Sequence, residues 1–494
     1  AVTSATGIST VRLQGDNDLG LVNLSFSGLT SPQTAVHIHV KNPISGPHVE
    51  SLPLGQVFDH PWELQAAQFL TTEQLMLDAL FNGDLYVNVH SENYPAGEIR
   101  GDYVLTNGST EFQEPPPAPP IPVLAGEELD RDILRFLQQA TFGPTVPDFY
   151  ALRSLITANG GDQIAGYTQW IDAHQTIQGP SLLEYNLAAN EQEWGLFSDT
   201  TSPYDTPNFQ PNHNTRRRGW WLMARHAHAQ LRERTAFALS ELFVVSEQDS
   251  LVRNRSYGAS HFYDTLKSGA FGTYRDLLED VSVHPIMGHY LSHLRNRQAV
   301  VVNGQVVVSP DENYAREILQ LFSVGLVMLH PDGSLIFSNQ GLPIDTYDQE
   351  DIGELARVIT GWSFSRKNQP ANSETIVDNN YFDHHNGLEY YEAQWINPMK
   401  MFEDNGLDPS HPNYERYHDN GAKTIFHLHP ALQLDIPAGQ TGEQDLAAIH
   451  DALAAHPNTG PFLSRRMIQR FVTSNPSAGY IYRVSQAFEN SGGN

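Results

Sequence analysis

Six prolines fall within eight residues in the segment Glu114-Pro115-Pro116-Pro117-Ala118-Pro119-Pro120-Ile121-Pro122. Proline has no backbone N–H and a fixed φ, so this run can join neither a helix interior nor a sheet centre. It is expected to stand as an extended, semi-rigid polyproline spacer. Residues before it alternate with period two between turn signals, and those after it recur with helical period. The chain therefore reads as two unlike domains on a stiff strut. An antiparallel β-sandwich is expected over residues 1–106, a proline-rich linker over 107–126 and a mainly α-helical domain over 127–494.

With 494 residues, 40% of them hydrophobic, the chain can bury real cores in each domain. Lys and Arg number 29 against 57 Asp and Glu, a net charge of -28. Such a surface repels phosphate backbones and anionic lipid, which argues against nucleic-acid and membrane-surface partners. No stretch reaches the roughly 18–20 apolar residues of a membrane span. There is no cysteine, and the sequence opens at Ala1 rather than Met. Both fit an exported protein whose signal peptide has been removed, and export is the expectation.

In the first domain, residues 11–13, 21–26, 35–40, 84–90 and 98–105 alternate apolar with polar, separated by clusters such as Asp16-Asn17-Asp18 and Asn42-Pro43. Strands of this kind argue for a sandwich or barrel. A short helix is expected where Thr71-Thr72-Glu73-Gln74 opens the apolar run Leu75–Leu80. Alternation puts His37 and His39 on one face of their strand, and Tyr86, Asn88 and His90 on one face of another. If the two strands are neighbours in matching register, His37, His39 and His90 converge. Imidazole is the commonest nitrogen ligand for zinc and copper, so one reading is a metal site with its fourth position open or water-filled. The other is a solvated sheet face on which histidines need no explanation.

The strings Ala35-Val36-His37-Ile38-His39, Gly83-Asp84-Leu85-Tyr86-Val87-Asn88-Val89-His90-Ser91 and Pro95-Ala96-Gly97-Glu98-Ile99-Arg100-Gly101 resemble the chordin-like CHRD domain. The resemblance covers most of the first domain. It implies an extracellular β-rich module, frequent in secreted bacterial proteins, and no particular activity.

After the strut, Leu129, Ile133, Phe136, Leu137 and Ala140 mark one face of a helix. Further helices are expected over 220–245 (one long or a pair), 262–266, 274–281, 286–294, 351–360, 444–455 and 461–472. A hairpin is expected over 299–308, turning at Asn303-Gly304. The sharpest local motif runs from Ser309 to Phe322. Ser309 with Glu312 reads as a capping box and Pro310 as the first helical residue. Beyond it, Asn313, Arg316, Glu317 and Gln320 form a polar stripe on an otherwise apolar helix, so the stripe is expected to be mostly buried. In the structural reading Glu317 pairs with an arginine from a neighbouring helix, such as Arg232 or Arg234. In the functional reading the four line a binding pocket, with Glu317 as base or ligand and Arg316 holding an anion.

His289 and His293 are spaced one helical turn apart, without the intervening Glu of a metalloprotease motif. His284-Pro285 and His456-Pro457 read as corners leading into helices, and His384, His385, His427 and His429 as loop residues. Asp348 and Asp351 suggest a helix cap more than a calcium loop. No nucleophile elbow, Walker loop or dinucleotide fingerprint occurs, so no nucleotide or flavin is indicated.

Five strings together resemble the bacterial family called domain of unknown function 1800: Arg135–Gly143, Arg232–Glu241, Pro310–Phe322, Ala356–Trp362 and His456–Phe462. The resemblance implies an exported, mostly helical protein and no established reaction. It also implies further helices after the stretch Arg465–Val472, so the domain is expected to be incomplete at its C-terminus.

Two functions of different class remain. One is an exported, acidic binding or assembly protein at the cell surface or in a matrix, stabilised by a divalent metal such as zinc, copper or calcium. Its partner would be an extracellular component, and homo-oligomerisation is open. The other is a secreted metal-dependent hydrolase or oxidoreductase using the histidine cluster or the Glu317 helix.

Overall fold

Every second side chain of Val36–Val40 is apolar, and that alternation decides how the first domain is built. The structure is a computed structural model. It describes residues 3, 5–14, 19–41, 48–63, 73–81, 83–103, 112, 114, 115, 117, 118, 121–194, 213–338, 342–365, 393–402 and 416–493. The first domain contains β1 (Thr6–Gln14), β2 (Leu19–Ser27), β3 (Gln33–Val40), β4 (His48–Ser51) and β5 (Val57–Glu63). Helix α1 (Glu73–Phe81), β6 (Leu85–Ser91) and β7 (Ile99–Asp102) follow. The strands form two antiparallel sheets, β1-β2-β5 and β4-β3-β6-β7.

Val36, Ile38 and Val40 of β3 and Leu85, Val87 and Val89 of β6 share one core with Val22, Leu24, Val57 and Trp62 of the other sheet. Two sheets closing on one apolar layer make the expected sandwich. The last strand ends at Asp102, and the expected strand residues Val104 and Leu105 lie outside the described residues. So do the turn clusters Asp16–Asp18 and Asn42-Pro43, the helix opening Thr71-Thr72, and Pro116, Pro119 and Pro120 of the strut.

The second domain begins with α2 (Gly126–Ala140), α3 (Val146–Ala158), α4 (Gln163–Gln175) and α5 (Leu182–Trp194). Next come α6 (His213–His226), α7 (Gln230–Ser240), α8 (Ser250–Asn254), α9 (Ser256–Ser268), α10 (Tyr274–Ser282) and α11 (Pro285–Tyr290). A hairpin of β8 (Val300–Val302) and β9 (Gln305–Val308) turns where Asn303 and Gly304 both have positive φ, as its sequence predicts. Helices α12 (Asn313–Glu317) and α13 (Gln349–Val358) follow, then β10 (Trp362–Ser363), α14 (Ala393–Ile396) and β11 (Lys400–Met401). The remaining elements are β12 (Lys423–Ile425), β13 (Leu434–Ile436), α15 (Gly442–Ala455), α16 (Thr459–Phe471) and α17 (Ala478–Asn490). Their main core gathers Phe243, Leu278, Ile286, Tyr314, Ile318 and Leu355 among many others. Among the described residues no helix is long and apolar enough to cross a membrane.

Two compact units emerge from the packing: Ala1–Phe112 with Ile336–Ile344, and Gln113–Leu335 with Asp345–Asn494.

The Ser309 capping box does not form. The helix starts at Asn313, whose N–H donates to Asp311 Oδ1 at 2.9 Å, while Glu312 makes no side-chain cap. The side chain of Asn296 holds Asp311 from both sides, accepting from its N–H at 2.8 Å and donating to its carbonyl at 3.0 Å. That long-range clamp outcompetes the local box. Helix α11 also ends early, at Tyr290, because Ser292 turns to φ 65°.

Candidate functional site

Strands β3 and β6 are hydrogen-bonded neighbours, with His37 opposite Asn88, His39 opposite Tyr86 and Ala35 opposite His90. The pleat turns His37, His39 and His90 away from the apolar core onto one face. One ring nitrogen from each lies within 4.8 Å of the others. Three points so spaced share a common point no more than about 2.8 Å from any of them, so small side-chain rotations reach the zinc–nitrogen bond of about 2.0–2.1 Å.

His90 is prepared as a ligand by the turn that follows it. Its Nδ1 lies 2.9 Å from the carbonyl oxygen of Pro95. A carbonyl only accepts, so Nδ1 carries the proton and Nε2 keeps its lone pair. That Nε2 is shielded from solvent and has no hydrogen-bond partner. Metal-binding histidines are held in this way by an acceptor on the second nitrogen. The turn depends on Gly97, at φ 115°, where a Cβ would stand 2.0 Å from Asn88 Oδ1. The Asn88 amide in turn donates to the Ala96 carbonyl at 3.1 Å.

Burial lowers the pKa of His37, and the neighbouring His48, His90 and His39 lower it further. A neutral imidazole is the metal-binding form. Tyr86 stacks on His39 with centroids 5.1 Å apart, and the Arg100 guanidinium lies 3.6 Å from the Tyr86 centroid. His48, at the start of β4, was missed in the sequence. Its ring stacks on His37 at 4.8 Å and stands 6.3 Å from His39. The position to look for was the partner strand of β3, where His48 pairs with His39.

The helix stripe departs from expectation. Asn313 is exposed and Arg316, Glu317 and Gln320 are only half-buried. After Glu317 the helix widens into a π-helical segment, Ile318–Ser323, and the wider turn takes Gln320 out of line with Asn313. Among the described residues Glu317 has no arginine partner from another helix. Arg232 donates instead to the carbonyls of Gln175, Ile177 and Lys267, and Arg234 to that of Arg470. Arg316 reaches Glu312 at 3.4 Å and Gln349 at 3.2 Å. The Glu317 Oε2 is shielded without a hydrogen-bond partner, and burial pushes its pKa up against the pull of Arg316.

Other histidines serve the fold. His284 Nδ1 accepts from the Ile286 N–H, and His456 Nδ1 from the Asn458 N–H, as corners leading into helices. His289 faces Asp249 at 3.3 Å, whereas the buried His293 donates to the Ser282 carbonyl, so the two do not chelate together. Asp348 and Asp351 form a reciprocal capping box on α13, as expected, and His427 bonds Asp351 at 3.0 Å. Together with His427 they make a second group whose ligand atoms lie within 4.8 Å, but their oxygens already cap the helix. His429 donates to the Asp345 carbonyl. His384 and His385 lie outside the described residues.

The family described as "Protein of unknown function (DUF1800)" matches residues 135–494. The chain belongs to the DUF1800 family. A CHRD domain matches residues 1–103, in front of the DUF1800 region and over the sheet that carries the histidines. No curated protein and no solved structure matches the chain. The DUF1800 region holds Glu317 and the buried histidines of the helical core, and the CHRD domain holds the converging trio.

Proposed function

We propose that this chain is an exported, acidic binding or assembly protein whose CHRD domain holds one divalent transition-metal ion through His37, His39 and His90. The observation that carries the reading is the shielded His90 Nε2, its proton sent to Nδ1 by the Pro95 carbonyl, beside nitrogens of His37 and His39. An all-imidazole set favours zinc or copper, whereas calcium takes oxygen ligands. The net charge of -28 draws cations towards the protein. Export rests on the CHRD match and on the lack of cysteine.

Titrating metal-stripped protein with Zn²⁺ or Cu²⁺ tests this. One ion should bind per chain, and His39→Ala should abolish binding while leaving the circular dichroism spectrum and the melting of the metal-free protein unchanged. Undiminished binding by His39→Ala would refute the trio. A catalytic role for Glu317 is the second reading, favoured by a raised pKa beside a π-helical turn, two features common at functional sites.

A further inference from the structure

The ring of His48 stands beside those of His37 and His39, although its nitrogens are not among those of the trio that lie within 4.8 Å of one another. An imidazole bound at 2.0–2.1 Å has its centroid about 3.2 Å from the metal, so tetrahedral neighbours stand about 5.2 Å apart. The observed centroid separations are 4.8 Å for His37–His48, 5.1 Å for His37–His90, 5.6 Å for His37–His39, 6.2 Å for His39–His90 and 6.3 Å for His39–His48. These five of the six pairs bracket that value. His48 pairs with His39 across the β3–β4 ladder, where the register shifts between Ile38 and His39. That shift matters. It places a histidine of the edge strand beside the ring of His37 rather than beyond it.

We infer that His48 is the fourth ligand and closes the site with four imidazoles. The inference rests on the trio of His37, His39 and His90 as metal ligands, and it fills the position that the sequence had left open. A closed four-coordinate site is the structural kind, whereas catalytic zinc keeps a position for water or substrate. The ion then ties together the three strands β4, β3 and β6, and four neutral ligands leave its double positive charge uncompensated within the site. His48 is exposed, so its removal should leave the sandwich folded.

The test uses the full chain and its His48→Ala and His39→Ala variants, each loaded with Cu²⁺ for pulsed EPR and titrated with Zn²⁺. Four coordinated imidazoles are expected in the unaltered protein and three in His48→Ala, with zinc affinity down about tenfold or more. Circular dichroism should be the same in both. Three imidazoles in both proteins, or four in both, with equal zinc affinity, would overturn the role of His48 and leave the trio standing. An unaltered protein that binds neither metal, or a His39→Ala variant that binds as well as it does, would overturn the trio and His48 with it.

Discussion

Glu317 shows how much a single side chain's partner matters. A carboxylate expected to sit in a buried ion pair would cost about 3–5 kcal/mol to remove. Among the described residues it has no such pair, only a shielded Oε2 and the nearby charge of Arg316. Its pKa is raised above 4.5 by burial, so the folded state binds its proton more tightly than the unfolded chain. Ionisation at neutral pH therefore opposes folding. Glu317→Gln should raise the melting temperature at pH 7, and the gain should vanish below about pH 4.5, where the carboxyl is protonated in either state. A large loss of stability in Glu317→Gln at pH 7 would contradict this account. The sequence showed that Glu317 was unusual, because a polar stripe on an apolar helix is visible in one strand of text. It could not show the partner, because Arg232 donates to three backbone carbonyls of distant residues and Arg234 to that of Arg470.

Strand β3 was legible as an element for the same reason that it works. Period-two alternation put Val36, Ile38 and Val40 into the core and the two histidines on the other face, and β6 repeats the pattern. Ile38, wholly buried between His37 and His39, anchors that orientation. Ile38→Ala should destabilise the domain by about 2–5 kcal/mol, read from urea unfolding, because it leaves a cavity in a packed sheet. A loss below about 1 kcal/mol would mean that the sheet is held in some other way. The start of α12 was not legible. The Ser309–Glu312 box satisfied every local rule, yet Asn296, far back in the chain, decides where the helix begins. His48 was hidden for a similar reason, since a register shift between two residues of β3 cannot be read from alternation. Local signals announce elements, and side chains from elsewhere set their ends.

At the scale of the whole molecule, the sequence divided the chain near its prolines, and we propose 1–106, 107–126 and 127–494 as its folding limits. The helical domain also holds histidines that fold as neutral groups. Burial, the leading cause at each, lowers the pKa of His284 well below the ordinary value of 6.5, those of His293 and His456 to about 4 and that of His450 to about 3. Below pH 6.5 the unfolded chain takes up protons that the folded one refuses, so stability falls as pH falls, down to about pH 4. Relief of the net negative charge works the other way, but it is diffuse and screened at about 0.15 M salt. Melting temperatures taken in salt should therefore drop between pH 6.5 and pH 4.5, and a flat or rising profile would contradict the buried-histidine account. The central claim, that the CHRD sheet holds a metal through His37, His39 and His90, is tested most directly by elemental analysis of the folded protein purified without added metal or chelator. The account predicts about one equivalent of zinc or copper per chain, absent from the His39→Ala variant. Folded protein carrying neither metal, and taking up neither when supplied, would contradict it.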